Sequence, residues 1–342
     1  KSPIKVFVYL LKSLRLLLEF RQPVLKNLVK IIFLDYCVNL VKPDIIHLHG
    51  VLRGYMGMEL VNRNLICKVL RIHGIVGFDT NIPKHKHLQK LENYIAKNFS
   101  GTYTFVTSRV MEKWQKEYCP VNDKAYVVLN GFDSNIFHPL SKEKIDRYIT
   151  KENNIRLITI GTINERKGQL RVVKAISRLS NKKCYEYICI GDGKRKNKEA
   201  LLEYCNKHHV NVQLISYVPQ DQLRYYINSC DYMILPSSSE GFGMVFIESI
   251  ACGTPVILPK ILPLANEPNI LCKKNSILLD GSEVDSITNC LVNLPEKNNY
   301  DEGEVSKTVD HLSWISIAGQ YREIFRSIIY QSTNESSEKT PT

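Results

Sequence analysis

The spacing of apolar residues switches repeatedly between two periods along the chain. Short apolar runs bounded by polar or glycine-containing turns read as strands. Stretches with an apolar residue every third or fourth position read as helices. Strands are expected within 43–50 and at 68–72, 104–108 and 126–129, then at 156–161, 187–190, 211–214, 232–235, 256–258 and 275–279. Helical spacing lies between them, at 86–97, 110–118, 169–179, 224–230 and 244–251, and again at 312–330. This alternation predicts an α/β fold with parallel sheets, whose ligands bind beyond the carboxyl ends of the strands. His49 and His73 stand at two such ends. A lone histidine in such a place is more often structural than functional.

Residues 6–42 also follow helical spacing, with basic residues off the apolar line. Leu10, Leu11, Leu14, Leu17 and Leu18 form that line, and Leu25, Leu28, Val29, Ile32 and Phe33 continue it after Pro23. Two readings stay open, packing against a sheet or docking on a membrane surface. No apolar run approaches the roughly 20 residues that span a bilayer.

Residues 231–257 carry the densest chemistry. Pro236 and three serines end the strand at 232–235. Gly241 and Gly243 bracket Phe242 in a turn that larger residues follow poorly. Helical spacing starts at Met244, and Gly253 and Pro255 stop it. The free amides of Gly243, Met244 and Val245 then form an open helix N-terminus, a seat for an anion. Glu240 lies just before the turn and Glu248 lies within the helix. A carboxylate beside a phosphate is unfavourable unless it binds something else, such as sugar hydroxyls. The pattern points to a ligand with both phosphate and hydroxyl groups.

A second polar turn, 162–168, follows the strand that ends at Gly161. Arg166 and Lys167 there oppose the dipole of the helix they precede. That mild cost suits two cations that grip a diphosphate; the alternative is a solvated charged turn.

Composition narrows this only slightly. At 342 residues, 44% hydrophobic and 23% charged, the chain holds two globular domains. Its ten cysteines show no CxxC spacing, which reads as scattered buried thiols in a reducing cytoplasm and disfavours a zinc site. Residues 1–140 carry 20 Lys and Arg against 10 Asp and Glu, while 141–342 carry 26 against 24. The basic half suits either general solubility or an anionic lipid surface or polyanionic acceptor. No nucleic-acid-binding motif accompanies the charge. The chain opens on Lys1, which reads as a truncated start.

Glu-Gly-Phe-Gly-Met-Val-Phe-Ile-Glu at 240–248, followed by Ala-Cys-Gly-Thr-Pro-Val, resembles the signature of the retaining GT-B-fold glycosyltransferases of family GT4. Asp-Ile-Ile-His-Leu-His-Gly at 44–50, Arg-Ile-His-Gly at 71–74, Asn-Gly-Phe-Asp at 130–133, Arg-Lys-Gly at 166–168 and Gly-Asp-Gly at 191–193 share the family's look. The resemblance covers about 40–330. The family's usual first strand and Gly-Gly loop have no counterpart, and its glycine pair after 258 is replaced by Pro259–Glu267.

The resemblance implies two Rossmann-like domains facing across a cleft, with an N-terminal domain at 1–140 and a donor domain at 141–312. A helix at 313–331 would cross back, and a polar tail at 332–342 reads as disordered. The implied reaction is retaining transfer of a hexose-type sugar from a UDP- or GDP-linked donor, with no cofactor and no metal. Arg166, Lys167 and the amides of Gly243, Met244 and Val245 would hold the diphosphate. Glu248 would hold the ribose, and Glu240, Gly241, Phe242 and Gly243 the sugar. Gly161, Tyr217 and Val218 would line the nucleotide. His73 would reach the donor, and His49 would stand on the acceptor side. The implied acceptor is a glycan or lipid-linked glycan of surface polysaccharide synthesis, at the inner membrane face. The rival reading is a non-catalytic nucleotide-sugar-binding or scaffold subunit. A third is another GT-B chemistry, such as a phosphorylase or an epimerase.

Overall fold

The computed structural model describes residues 9–10, 18–20, 24–58, 66–75, 85–118, 120, 125–149, 154–294 and 300–337. The chain divides into two compact units, one of residues 1–129 with 318–342 and one of 130–317. Much of the expected helical stretch at 6–23 lies outside the described residues.

The first unit is built on a parallel sheet in the order β1 (Ile45–His49), β2 (Cys67–Ile72), β3 (Thr102–Phe105) and β4 (Ala125–Val127). Its helices are α1 (Val24–Val41), α2 (Val51–Met58), α3 (His85–Asn98) and α4 (Ser108–Glu117). The core gathers Tyr55, Leu70, Leu91, Ile95, Phe105 and Trp114, with alternate strand residues facing it. The third strand ends earlier than the expected 104–108. Thr107 leaves the strand because its hydroxyl accepts from Val110 N and caps α4.

Helix α2 is absent from the sequence expectations, because Gly54 and Gly57 weaken helix propensity. Packing explains them. A Cβ at Gly54 would lie 2.8 Å from Leu70 Cδ2, and one at Gly57 would lie 2.3 Å from Leu48 Cδ1. The two glycines let the helix lie directly on β1 and β2. The apolar line expected through α1 is split. Leu28 and Ile32 pack inward beside Ile31, whereas Val29 and Phe33 face solvent with Leu40. No helix among the described residues is long and apolar enough to cross a membrane.

The second unit holds a six-stranded parallel sheet. Its strands are β5 (Ile155–Ile160), β6 (Tyr185–Ile190), β7 (Val212–Ile215), β8 (Tyr232–Ile234), β9 (Val256–Pro259) and β10 (Ser276–Leu279). They lie in the order β10-β9-β8-β5-β6-β7. Chain order therefore reverses between β5 and β8, the doubly wound arrangement with a crevice at the switch point. Helices α5 (Lys142–Asp146), α6 (Gln169–Ser177), α7 (Arg195–His208), α8 (Gln220–Asn228), α9 (Met244–Ala251), α10 (Val284–Val292) and α11 (Glu302–Lys307) complete it. Helix α8 starts before the expected 224, because Pro219 stands at its N-cap with φ preset for the entry. The cysteines are not uniformly buried: Cys184 and Cys272 are exposed.

The last helix, α12 (Trp314–Ser337), runs past the expected end near 330 and into the expected disordered tail. Residues 331–337 contain neither proline nor glycine, so nothing local stops it.

Buried hydrogen bonds hold β5 against β8. Arg156 N donates to Asp231 Oδ2 at 2.7 Å, and Asp231 N donates to Arg156 O at 2.8 Å. The Thr159 hydroxyl donates to Ile234 O and accepts from Tyr187 Oη at 2.7 Å. At the carboxyl end of the sheet, Gly191 has φ +145°, and a Cβ there would fall 2.2 Å from Gly161 O. Gly191→Ala should therefore lower stability by about 2 kcal/mol or more, read as the thermal midpoint of the whole chain. An unchanged midpoint would refute this close-approach argument.

Candidate functional site

Two loops leave the sheet on either side of the switch point, one after β5 and one after β8. The first, 161–168, is held from within. Asn164 Oδ1 accepts from Lys167 N at 2.9 Å, and Asn164 O accepts from Gly168 N at 3.1 Å. Buried Gln169 donates to Gly161 O and Thr162 O at 3.3 and 3.2 Å. Gly168 caps α6 at φ +81°, a conformation that suits glycine. The loop also leans on 191–193, where Ile163 N donates to Asp192 O at 2.8 Å.

The second loop is stitched to the first. Ser238 N donates to Arg166 O at 2.9 Å, and Arg166 Nη1 donates to Ser239 O at 2.6 Å. From α6, Arg171 donates to Glu165 O and Pro236 O, both at 2.7 Å. The result places Glu240 against both cations. Its Oε1 accepts from Lys167 Nζ at 2.6 Å and from Arg166 Nη1 at 3.2 Å. Glu240 is 10% exposed and Lys167 13%, so this pair is largely removed from water, while Arg166 is 37% exposed.

Beyond Glu240 the chain turns through buried Phe242 to Gly243, which opens α9 at φ +86°. No side chain caps this helix, so its first amides are available to an anion. Glu248 stands one turn further along α9, and burial pushes its carboxyl up to about 7. Tyr217 and Val218 lie between β7 and α8, and Tyr217 is 78% exposed. The altered segment after β9 forms a 3-10 turn at Pro263–Asn266, and the Asn266 amide donates to Leu262 O at 3.0 Å. Glu267 is buried.

In the first unit, His49 Nδ1 and His73 Nε2 lie 3.0 Å apart, with their rings stacked. His47, on the same face of β1 two residues earlier, packs on His49 with ring centroids 4.4 Å apart. Buried Arg71 lies beneath them on β2, opposite His49 in the sheet, and bonds the Tyr321 hydroxyl of α12. Burial, then Arg71, then His49 push His73 down to about 4, and His47 falls to the same value through burial first and its charged neighbours next. Burial, then Arg71, also lowers His49 from its ordinary value, so the His49–His73 pair is neutral near pH 7, one ring donating and the other accepting. His47 and Arg71 are not among the sequence candidates, although the period of two in 45–49 and 71–73 puts each on the face of its histidine.

Residues 141–279 match the profile of the family described as Glycosyl transferases group 1. The matched segment runs from α5 through β10 of the second unit. An uncharacterized glycosyltransferase of Methanocaldococcus jannaschii is 27% identical over 262 residues, covering 70% of this chain and 67% of that one. A galactosyltransferase of Escherichia coli, named for UDP-Gal and GlcNAc-diphosphoundecaprenol, is 22% identical over 281 residues, 80% of this chain and 71% of that one. Across four relatives that include the first of these, the aligned stretch spans 50% to 67% of the relative's length. Among solved structures, HepE of Anabaena in complex with UDP and glucose superposes with a TM-score of 0.72. It is 17% identical and covers 87% of this chain and 81% of its own. The fold is GT-B, as the resemblance of the sequence motifs implies.

Two outcomes test these electrostatics. A carboxyl raised from its ordinary value of 4.5 to about 7 gives stability that is complete below pH 4.5 and lost as pH rises through 7. Glu248→Gln should therefore stabilise the ligand-free chain at pH 8 by about 2 kcal/mol and leave it nearly unchanged at pH 4.5, by thermal unfolding. Equal effects at both pH values would contradict this. Separately, Arg71→Gln removes a nearby cation and should raise the His73 titration midpoint in NMR; a fixed or lower midpoint argues against the proposed coupling.

Proposed function

We propose that this chain is a retaining glycosyltransferase that moves a hexose-type sugar from a UDP- or GDP-linked donor to a glycan or lipid-linked acceptor in surface polysaccharide synthesis. The observation that carries this reading is the pairing of Arg166 and Lys167, after β5, with Glu240, after β8, on the loop that leads into the uncapped start of α9. As the sugar–phosphate bond breaks, negative charge grows on the departing diphosphate. Lys167 and Arg166 would stabilise that charge with the amides of Gly243, Met244 and Val245. These donors would serve in place of a divalent metal, and the sequence has no Asp-x-Asp motif. Glu248 accepts from the ribose hydroxyls in this reading, and Glu240, with the turn at Gly241 and Phe242, from the sugar. Gly161 leaves room beside Lys167, and Tyr217 and Val218 meet the base.

In the first unit, the neutral His49–His73 pair would hydrogen-bond a sugar hydroxyl. The basic surplus of residues 1–140 and the outward Val29, Phe33 and Leu40 support an acceptor presented on an anionic lipid surface, on the cytoplasmic side. The named donor and acceptor of the E. coli relative support the same choice of substrates.

The test is transfer from a panel of UDP- and GDP-sugars to lipid-linked and free glycan acceptors. One donor should turn over with retained anomeric configuration. Lys167→Ala should lower kcat about a hundredfold, on the order of 3 kcal/mol at the transition state. Tight donor binding with no transfer to any acceptor would favour the scaffold reading, and inversion would overturn the retaining one.

A further inference from the structure

Glu240 occupies the same cations to which a diphosphate is assigned. Its one oxygen, Oε1, accepts from Lys167 Nζ at 2.6 Å and from Arg166 Nη1 at 3.2 Å. With the carboxylate and the ammonium both largely out of water, this is not a solvated surface pair of negligible weight. A diphosphate and a carboxylate cannot both sit on these cations without strong repulsion. A diphosphate that takes them must turn Glu240 away.

The loop is built so that the side chain alone has to move. Ser238 N is held by Arg166 O, and Ser239 O is held by Arg166 Nη1, so the backbone before Glu240 is tied to the first loop. Buried Phe242 holds the chain on the other side. Arg166 keeps its Ser239 partner when Glu240 leaves, and Lys167 is the cation fully released to the ligand. A displaced, half-dehydrated carboxylate is costly until it finds new donors. Sugar hydroxyls supply them, and a bare nucleoside diphosphate does not.

We propose that Glu240 is a specificity-determining residue that separates sugar-bearing nucleotides from bare nucleoside diphosphates, by exchanging Lys167 and Arg166 for hydroxyls of the donor sugar. The inference rests on the diphosphate reading given under the proposed function. It also gives the carboxylate a task after transfer. Once the sugar has left, Glu240 loses its hydroxyl partners, returns to the two cations and competes with the spent nucleotide for them.

The experiment is calorimetric titration of the whole chain, wild type and Glu240→Gln, with inorganic pyrophosphate, UDP, GDP, UDP-glucose and GDP-mannose. The amide removes the competing charge. Glu240→Gln should bind pyrophosphate and the bare nucleotide about tenfold tighter, and its preference for the sugar nucleotide over the bare one should fall by a similar factor. Glu240→Asp, which keeps the charge and shortens the reach, should move both quantities the same way by less, and it serves if the glutamine variant does not fold. Wild type that binds these ligands, with pyrophosphate affinity unchanged or weakened in both variants, overturns the proposal alone. Wild type that binds none of the five overturns the diphosphate reading beneath it.

Discussion

The second unit depends on the reversal of strand order between β5 and β8. A reversal leaves two neighbouring strands whose following loops turn away from each other and open a crevice. Here the junction is pinned from within the sheet. The two Arg156–Asp231 bonds, one to the Asp231 carboxylate and one to the Arg156 carbonyl, lie at one end and the Tyr187–Thr159–Ile234 hydrogen bonds at the other. Each is buried, where an unmade hydrogen bond is costly. Because β5 and β8 cannot slide, 161–168 and 236–243 start from fixed points. Their own bonds, Ser238 to Arg166 and Arg171 to Pro236, then hold the loops together.

The electrostatics follow from that geometry. The site is not a simple basic pocket. Two cations face a carboxylate on the neighbouring loop, and a second carboxylate, Glu248, sits where burial opposes its charge. In the proposed reading, a ligand with phosphate groups would take the two cations, and hydroxyl groups would supply the carboxylates with donors. The first unit keeps its histidines neutral by different means, with the buried Arg71 cation under two rings that share one hydrogen bond.

Much of this was legible in the chain, and the unread part has physical causes. Apolar runs flanked by turns mark the strands among the described residues, most clearly β5, β6 and β9, which are buried along most of their length and leave nearly continuous hydrophobic text. The third strand was misplaced because Thr107 fits either a strand or a cap, and only its bond to Val110 N decides. Helix α2 was hidden because its glycines answer to Leu48 and Leu70, not to local propensity. At the site, Arg166, Lys167, Glu240 and Glu248 all stand out in local motifs. The pairing of Glu240 with Lys167 does not, since it depends on β8 lying beside β5. Arg71 and Tyr321 meet for the same kind of reason, across a chain separation that no local pattern bridges.

The central claim is that the loops after β5 and β8, with the start of α9, hold the diphosphate of a nucleotide sugar. Hydrogen exchange of the whole chain, with and without saturating UDP- or GDP-sugar, tests it most directly. Protection should concentrate at 161–168 and at the amides of Gly243, Met244 and Val245. Protection confined to other segments, with those amides exchanging at the ligand-free rate in a demonstrably bound complex, would contradict it.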